Sequence, residues 1–294
     1  MLNDIILNIK KAKIMGLVIG IDVGGSTTKI VGVKKREIIA PLFVKASDPV
    51  ASLFGAFGKY VTNNNINLSD IEEIILTGVG SAYIEQPIYG LPTARTDEFL
   101  ANGLGAKFTI DLENIIVVSM GTGTSFVKVQ GKKIEHIGGT GIGGGTLLGL
   151  SRLLLKTQNI DTIAQLASEG SLNNIDLQIQ DICSKALPGL PLDATASNFG
   201  KVDGDASPED LASGIIHLVL RAIAQSAILS SLNSNIHDFV LIGNLTQLPQ
   251  CRDIFSKIEE MYNVRFHIPQ YSEYSTAIGA ALAYQQRSGI ETIE

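Results

Sequence analysis

Cysteine is scarce: Cys183 and Cys251 are the only two in 294 residues, far apart and without histidines at metal-ligand spacing. That excludes a disulfide framework and a zinc site, and it fits a reducing cytoplasm, where both thiols are expected as small buried hydrophobes. Basic runs are absent too. The formal net charge is −6 and no stretch holds five consecutive basic residues, so neither nucleic acid nor a membrane surface is an expected partner. The opening MLNDIILNIKKAKIMGLVIG sets basic residues before a short apolar run, but it passes into IDVGG without a small-residue cleavage site and is too short to span a bilayer. Residues 1–14 are read as a surface helix or extension. Two common phosphate signatures are also missing: GxxxxGK[ST] occurs nowhere, and no GxGxxG follows the first strand.

What the chain does contain is apolar and periodic. Hydrophobic residues make up 45% of it, enough for a substantial core, and the length suits two lobes. Residues 16–46 read as three strands, GLVIGIDV, TTKIVGVK and EIIAPLFVK, broken by glycine or charge. DPVASLFGAFGKYVTNN has helical spacing behind an aspartate suited to its N-terminus, the strand IEEIILTGV follows, and a helix is expected over 96–107. The program restarts at IIVVSMGTGTSFVKVQGKKIEHIGG, again a three-strand meander. A glycine loop then opens a helix, a long apolar helix covers about 210–233, and the strand HDFVLIGN, a helix at 249–261, the strand VRFHIP and the helix TAIGAALAYQQ complete the chain. Strands alternating with helices predict an α/β fold with mixed sheets.

Two turns carry the chemistry. In GIDVGGSTTKIVGV, Gly24 and Gly25 let the backbone turn sharply and approach a ligand. Ser26, Thr27 and Thr28 can donate to phosphate oxygens, Lys29 can supply positive charge, and Asp22 can hold Mg²⁺ directly or through water. The second turn, SMGTGTSF, repeats the device with Gly121, Thr122, Gly123 and Thr124 at the same point of the second meander. Taken alone a Gly-Gly hairpin means little; two at corresponding positions imply a nucleotide held in a cleft between two lobes.

This duplicated arrangement resembles the acetate and sugar kinase, Hsp70 and actin superfamily, whose two-lobed actin-like ATPase fold has ribonuclease H-like duplicated domains. Within it, GIDVGGSTTKI, DEFLANGLGA, SMGTGTS, GGTGIGGGTLLGL and ASNFG, in that order, resemble the type II pantothenate kinases from residue 16 onward. The resemblance implies an extension over 1–15, an N-terminal lobe over 16–114 and a C-terminal lobe over 115–294. It implies ATP- and Mg²⁺-dependent phosphorylation of pantothenate to 4'-phosphopantothenate, the first step of coenzyme A synthesis, in a cytoplasmic homodimer formed through the long helix. Glu98 matches the family's catalytic glutamate, a base for the primary alcohol. The loop at 138–146 is read as a mobile segment opening a helix N-terminus, a ready anion site. The resemblance places Gly143, Gly144, Gly145 and Gly243 with the nucleotide, and Ser125, His136 and Thr140 with the acceptor.

One position departs from the family. Where an arginine commonly meets the pantothenate carboxylate, this chain has His136 in EHIGG, with Glu135 beside it and Arg95 as another candidate cation. Two rival readings stand beside pantothenate kinase: a sugar or amino-sugar kinase of the superfamily, and an ATP-binding regulatory or activase protein. The lack of a cysteine cluster for an iron–sulfur centre counts against an activase.

Overall fold

The computed structural model describes residues 16–45, 48–185, 189, 191–286 and 290–293, so the reading of residues 1–14 falls outside the described residues. The chain divides into two compact units, residues up to Phe108 together with those from Tyr274 on, and Thr109–Glu273.

The first unit begins with the expected meander: β1 (Leu17–Val23), β2 (Thr27–Lys34) and β3 (Glu37–Lys45). Helix α1 (Pro49–Asn63) follows, with Asp48 Oδ1 accepting from Ala51 N at 2.9 Å and Pro49 at its first position. Then come β4 (Ile71–Thr77), β5 (Thr93–Thr96) and α2 (Glu98–Thr109). Asp97 Oδ1 accepts from Leu100 N, capping α2, so this helix starts later than its apolar pattern suggests and Thr96 belongs to a strand. β1, β4 and β5 are parallel neighbours, while β2 pairs antiparallel with β1 and β3 antiparallel with β2. Alternation along β1 gives each face an owner. Ile19, Ile21 and Val23 share a core with Leu53, Phe57 and Tyr60 of α1. Burying each such side chain contributes roughly 1.5–3 kcal/mol.

The second unit repeats this order. β6 (Asn114–Met120), β7 (Thr124–Gln130) and β8 (Lys133–Thr140) form the second meander. Helices α3 (Gly144–Leu154) and α4 (Ile160–Glu169), the short β9 (Leu177–Gln178), α5 (Ile179–Ile182) and β10 (Thr195–Ser197), and the long α6 (Pro208–Ser231) come next. β11 (Asp238–Ile242), α7 (Pro249–Tyr262) and β12 (Arg265–His267) close the unit. Its sheet runs β12-β11-β6-β7-β8, three parallel strands and then two antiparallel, the same plan as β5-β4-β1-β2-β3. The duplication visible in the sequence is thus a duplication of topology.

Helix α6 is long and apolar enough to cross a membrane, yet Ala212, Ile215, Ile216, Val219, Leu220, Ile223, Ala224 and Ala227 are buried in the unit's own core. It is a core helix with an exposed end, where Leu229 and Leu232 face solvent.

The last segment corrects the expected boundary. α8 (Ser275–Gln286) and β13 (Ile290–Ile293) join the first unit and not the second. Backbone contact explains why: a Cβ at Gly20 would lie 1.9 Å from Ala277 O, one at Gly105 1.9 Å from Ser275 O, and one at Gly279 1.7 Å from Ala101 O. Only residues without side chains let α8 sit this close to β1 and α2.

Candidate active site

In the first unit the carboxyl ends of the parallel strands collect the polar residues. Register pairs Asp22 with Lys29 on β2 and with Thr77 on β4, so all three side chains share the α8 face of the sheet. Lys29 Nζ stands 3.9 Å from Asp22 Oδ2, and Lys29 is buried. The β4–β5 register pairs Leu76 with Arg95, which sets Thr96 beside Thr77. Lys29, Asp22, Thr77 and Thr96 therefore form one polar row across four adjacent strands. Glu98 follows two residues after Thr96, at the first turn of α2.

The electrostatics suit a base and a cation. Burial pushes the Glu98 carboxyl up to about 7, the negative charges of Asp22 and Asp97 add to the rise, and Lys29 opposes it. Burial likewise holds Asp22 above the usual carboxylate range, with Lys29 pulling the other way. A buried carboxylate that one lysine does not fully compensate fits a divalent cation. The neighbouring row supports that fit, because the hydroxyls of Thr77 and Thr96 are buried with no hydrogen-bond partner. An unpaired buried hydroxyl costs about 1–3 kcal/mol. Asp22 would hold Mg²⁺, which neutralises phosphate charge in phosphoryl transfer.

Around the first turn, Gly24 N donates to Thr27 O at 2.9 Å, leaving Gly25 and Ser26 exposed at the tip. Thr28 departs from its expected role. It pairs with Val23, so its buried side chain points to the α1 face, away from Asp22 and Lys29. Sequence reading also missed Gly78, which follows Thr77 with φ +83; a Cβ there would lie 2.6 Å from Asp22 Oδ1 and 2.6 Å from Val23 O. Its signal was present in ILTGVG, a second strand that ends, like IDVGG, at a glycine.

In the second unit the two glycine stretches interlock. Gly144 N donates to Gly121 O and Gly145 N to Thr122 O, both at 2.9 Å, and Thr124 Oγ1 donates to Ile142 O at 2.8 Å. A Cβ at Gly143 would lie 2.6 Å from Thr122 O. This corrects two expectations. Gly138, Gly139 and Thr140 are the end of β8 and not a free loop, and two amides at the start of α3 already meet turn carbonyls. Thr140 Oγ1 accepts from Ile142 N, while Gly121 and Thr122 stand exposed at the tip. Gly243, at φ +96, presses on Met120, since a Cβ would lie 2.5 Å from its carbonyl. The turn, the start of α3 and the end of β11 thus meet, with Thr246 and Ser272 locking Gly243 through its N–H and C=O.

The acceptor residues divide. Ser125 pairs with Gly139 one step from the turn, whereas His136 is exposed further along β8, opposite Val127. Glu135 binds Lys133 at 2.9 Å and Lys128 at 3.5 Å; these lysines hold its carboxyl below the usual range. Arg95 Nε donates to Ser81 O and its Nη2 to Ile84 O, so Arg95 braces the segment after β4. ASNFG proves structural. Burial alone would raise Asp176, but His217 Nδ1, Phe199 N and Thr195 Oγ1 bond it and hold it below the usual range; Asn198 Nδ2 also reaches it at 3.2 Å. Asp176 and His217 had no local sequence signal, because the pair spans 41 residues.

Two sheets that share one five-strand plan, each with a glycine turn after its first strand, define an actin-like ATPase fold. Solved structures agree in fold. The activator of the 2-hydroxyisocaproyl-CoA dehydratase from Clostridium difficile with bound ADPNP matches with a TM-score of 0.66 at 15% identity, over 92% of this chain and 98% of that one. A ROK family glucokinase from Streptomyces griseus in complex with glucose and AMPPNP matches at 0.59 and 14% identity, over 92% and 100%. Sequence comparison narrows the class. The Fumble family model matches residues 104–283. The type II pantothenate kinase of Bacillus cereus is 30% identical over 276 residues, 90% of this chain and 97% of that protein. That of Staphylococcus haemolyticus is 29% identical over 277 residues, 89% and 98%. The chain belongs to the Fumble family of type II pantothenate kinases and is a phosphotransferase.

Proposed function

We propose that the protein phosphorylates the primary hydroxyl of pantothenate with ATP and Mg²⁺, opening coenzyme A synthesis. The observation that carries this reading is the row Lys29–Asp22–Thr77–Thr96 beside Glu98, whose carboxyl titrates at about 7. A carboxylate of that basicity can take the acceptor hydroxyl's proton at neutral pH, an effect worth roughly 10²–10⁴-fold. Lys29 offsets phosphoryl charge, Asp22 carries the cation, and the glycine turns at 24–27 and 121–124, with Gly143, Gly144, Gly145 and Gly243, serve the nucleotide. Ser125, His136 and Thr140 serve the acceptor. We infer a cytoplasmic homodimer, with the exposed Leu229 and Leu232 at the end of α6 in its interface.

A coupled ADP-release assay with and without pantothenate tests the reading, using native protein and Glu98→Gln. Pantothenate-dependent release that collapses in the variant supports acceptor and base together. One observation favours a second reading, a sugar or amino-sugar acceptor: His136 stands where the family resemblance expects an arginine for a carboxylate. Turnover with a hexose and none with pantothenate would establish it. ADP release indifferent to any acceptor would instead favour an ATP-driven regulatory protein, although Cys251 is buried in the core of its unit and does not present a thiolate to a cluster.

A further inference from the structure

The glycine turns and Glu98 leave part of the first unit's polar row without a role. Thr77 and Thr96 end β4 and β5 in register with Asp22, on its face of the sheet, and both are buried, Thr77 completely. Neither hydroxyl has a hydrogen-bond partner among the described residues. Thr93, Thr124 and Thr246 are also buried, and each hydroxyl bonds a carbonyl, whereas Thr28, on the opposite face of the sheet, is a single unpaired hydroxyl beside no carboxylate of the row. Buried hydroxyls are normally satisfied, so two unsatisfied ones at successive places of one row, on the side of the Asp22 carboxylate away from Lys29, point to a polar ligand at that place. A hydroxyl can accept from one water while donating to another. It therefore suits the hydrated shell of a hard cation that keeps several waters.

We propose that Thr77 and Thr96 are positioning residues that hydrogen-bond the water shell of the divalent cation carried by Asp22. The cation site is then built from the ends of three parallel strands, and not from the β1–β2 turn alone. This rests on the phosphoryl-transfer reading above. Residues that orient a metal's water and ligands typically matter about 10–100-fold in affinity or rate.

The test is Mn²⁺ binding followed by electron paramagnetic resonance, with AMPPNP present, in native protein, Thr77→Val, Thr96→Val and the two Thr→Ser variants. Each Val variant is expected to bind Mn²⁺ about 10-fold more weakly or worse, and each Ser variant to stay near native. Thermal midpoints of the Val variants should not fall, because valine removes an unpaired hydroxyl at nearly constant volume. A purely structural threonine would move the midpoint and leave Mn²⁺ affinity alone. Should a Val variant fail to fold, Thr→Ala against Thr→Ser carries the same comparison, since both lose the methyl and only Ser keeps the hydroxyl. Mn²⁺ affinity unchanged by losing both hydroxyls overturns the proposal. Native protein that binds no Mn²⁺ with AMPPNP overturns it together with the phosphoryl-transfer reading. Native protein that binds Mn²⁺ normally but never turns over pantothenate sinks only the acceptor assignment.

Discussion

Gly78 lies flat against the Asp22 carboxylate, with the site of its missing Cβ 2.6 Å from Asp22 Oδ1. The residue combines that contact with φ +83 and ψ 158, a backbone region open essentially to glycine alone. Gly78→Ala therefore meets both strain and collision, and should destabilise the fold by about 2–4 kcal/mol. Because the collision falls on the proposed cation carboxylate, activity should drop further than the loss of folded protein accounts for. Calorimetry paired with kcat per folded molecule checks this; a variant that loses stability and keeps native kcat would separate the glycine from the site.

The small-residue packing of α8 gives a sharper stability contrast. Gly279→Ala puts a methyl 1.7 Å from the Ala101 carbonyl, so α2 and α8 must separate, at roughly 1–3 kcal/mol or more. Gly149, exposed in the middle of α3, has nothing within 4 Å of its Cβ position. Gly149→Ala should stabilise by about 0.5–1 kcal/mol through helix propensity. Urea midpoints that move in opposite directions confirm the contrast; equal shifts would overturn it.

That packing marks where the sequence stopped being legible. Both meanders, the cap at Asp48 and the buried α6 follow from local patterns, since Gly/Thr-broken Val/Ile runs fix strands and apolar spacing fixes helices. TAIGAALAYQQ reads as a helix on the same grounds, but an apolar surface all round does not say which sheet it will cover, and it returned to the first unit. The row through Thr77 and Thr96 depends on strand register, which no local spacing encodes. The same limit made the start of α3 look like an open anion site, because the Gly121 and Thr122 carbonyls that meet it come from another segment.

Glu98 makes activity and stability diverge with pH. Its folded carboxyl titrates at about 7, above the 4.5 of the free side chain, so the folded state holds the proton more tightly. Stability from this group is therefore full below about 4.5 and declines as pH rises to about 7. Glu98→Gln should melt above native protein at pH 8, with the gap closing toward pH 4, while its kcat falls roughly 10²-fold or more. In native protein kcat should rise with pH through the neutral range as the base ionises. Asp97→Asn keeps a capping oxygen at the start of α2 and removes one of the charges that raise Glu98, so that limb should move to lower pH. A limb that stays put, or moves up, would take the base assignment away from Glu98.

His136 offers a gain-of-function test of the acceptor. It is exposed on β8, and Glu135 next to it is already bound by Lys128 and Lys133, so a new cation at 136 does not find that carboxylate free. Adjacent strand residues face opposite sides, which also keeps an arginine at 136 clear of those lysines. His136→Arg supplies a permanent charge and a planar fork that binds carboxylate through two parallel hydrogen bonds. If the acceptor is pantothenate and its carboxylate lies at this position, KM for pantothenate should fall about 10-fold, as a charge-assisted pair contributes on the order of 1.5 kcal/mol, and KM for ATP should hold. The gain should shrink with added salt, because the new contact is partly exposed. An unchanged pantothenate KM would place the carboxylate elsewhere, and a fall in kcat/KM for pantothenate beside sustained turnover of a neutral sugar would move the protein's acceptor out of the carboxylate class.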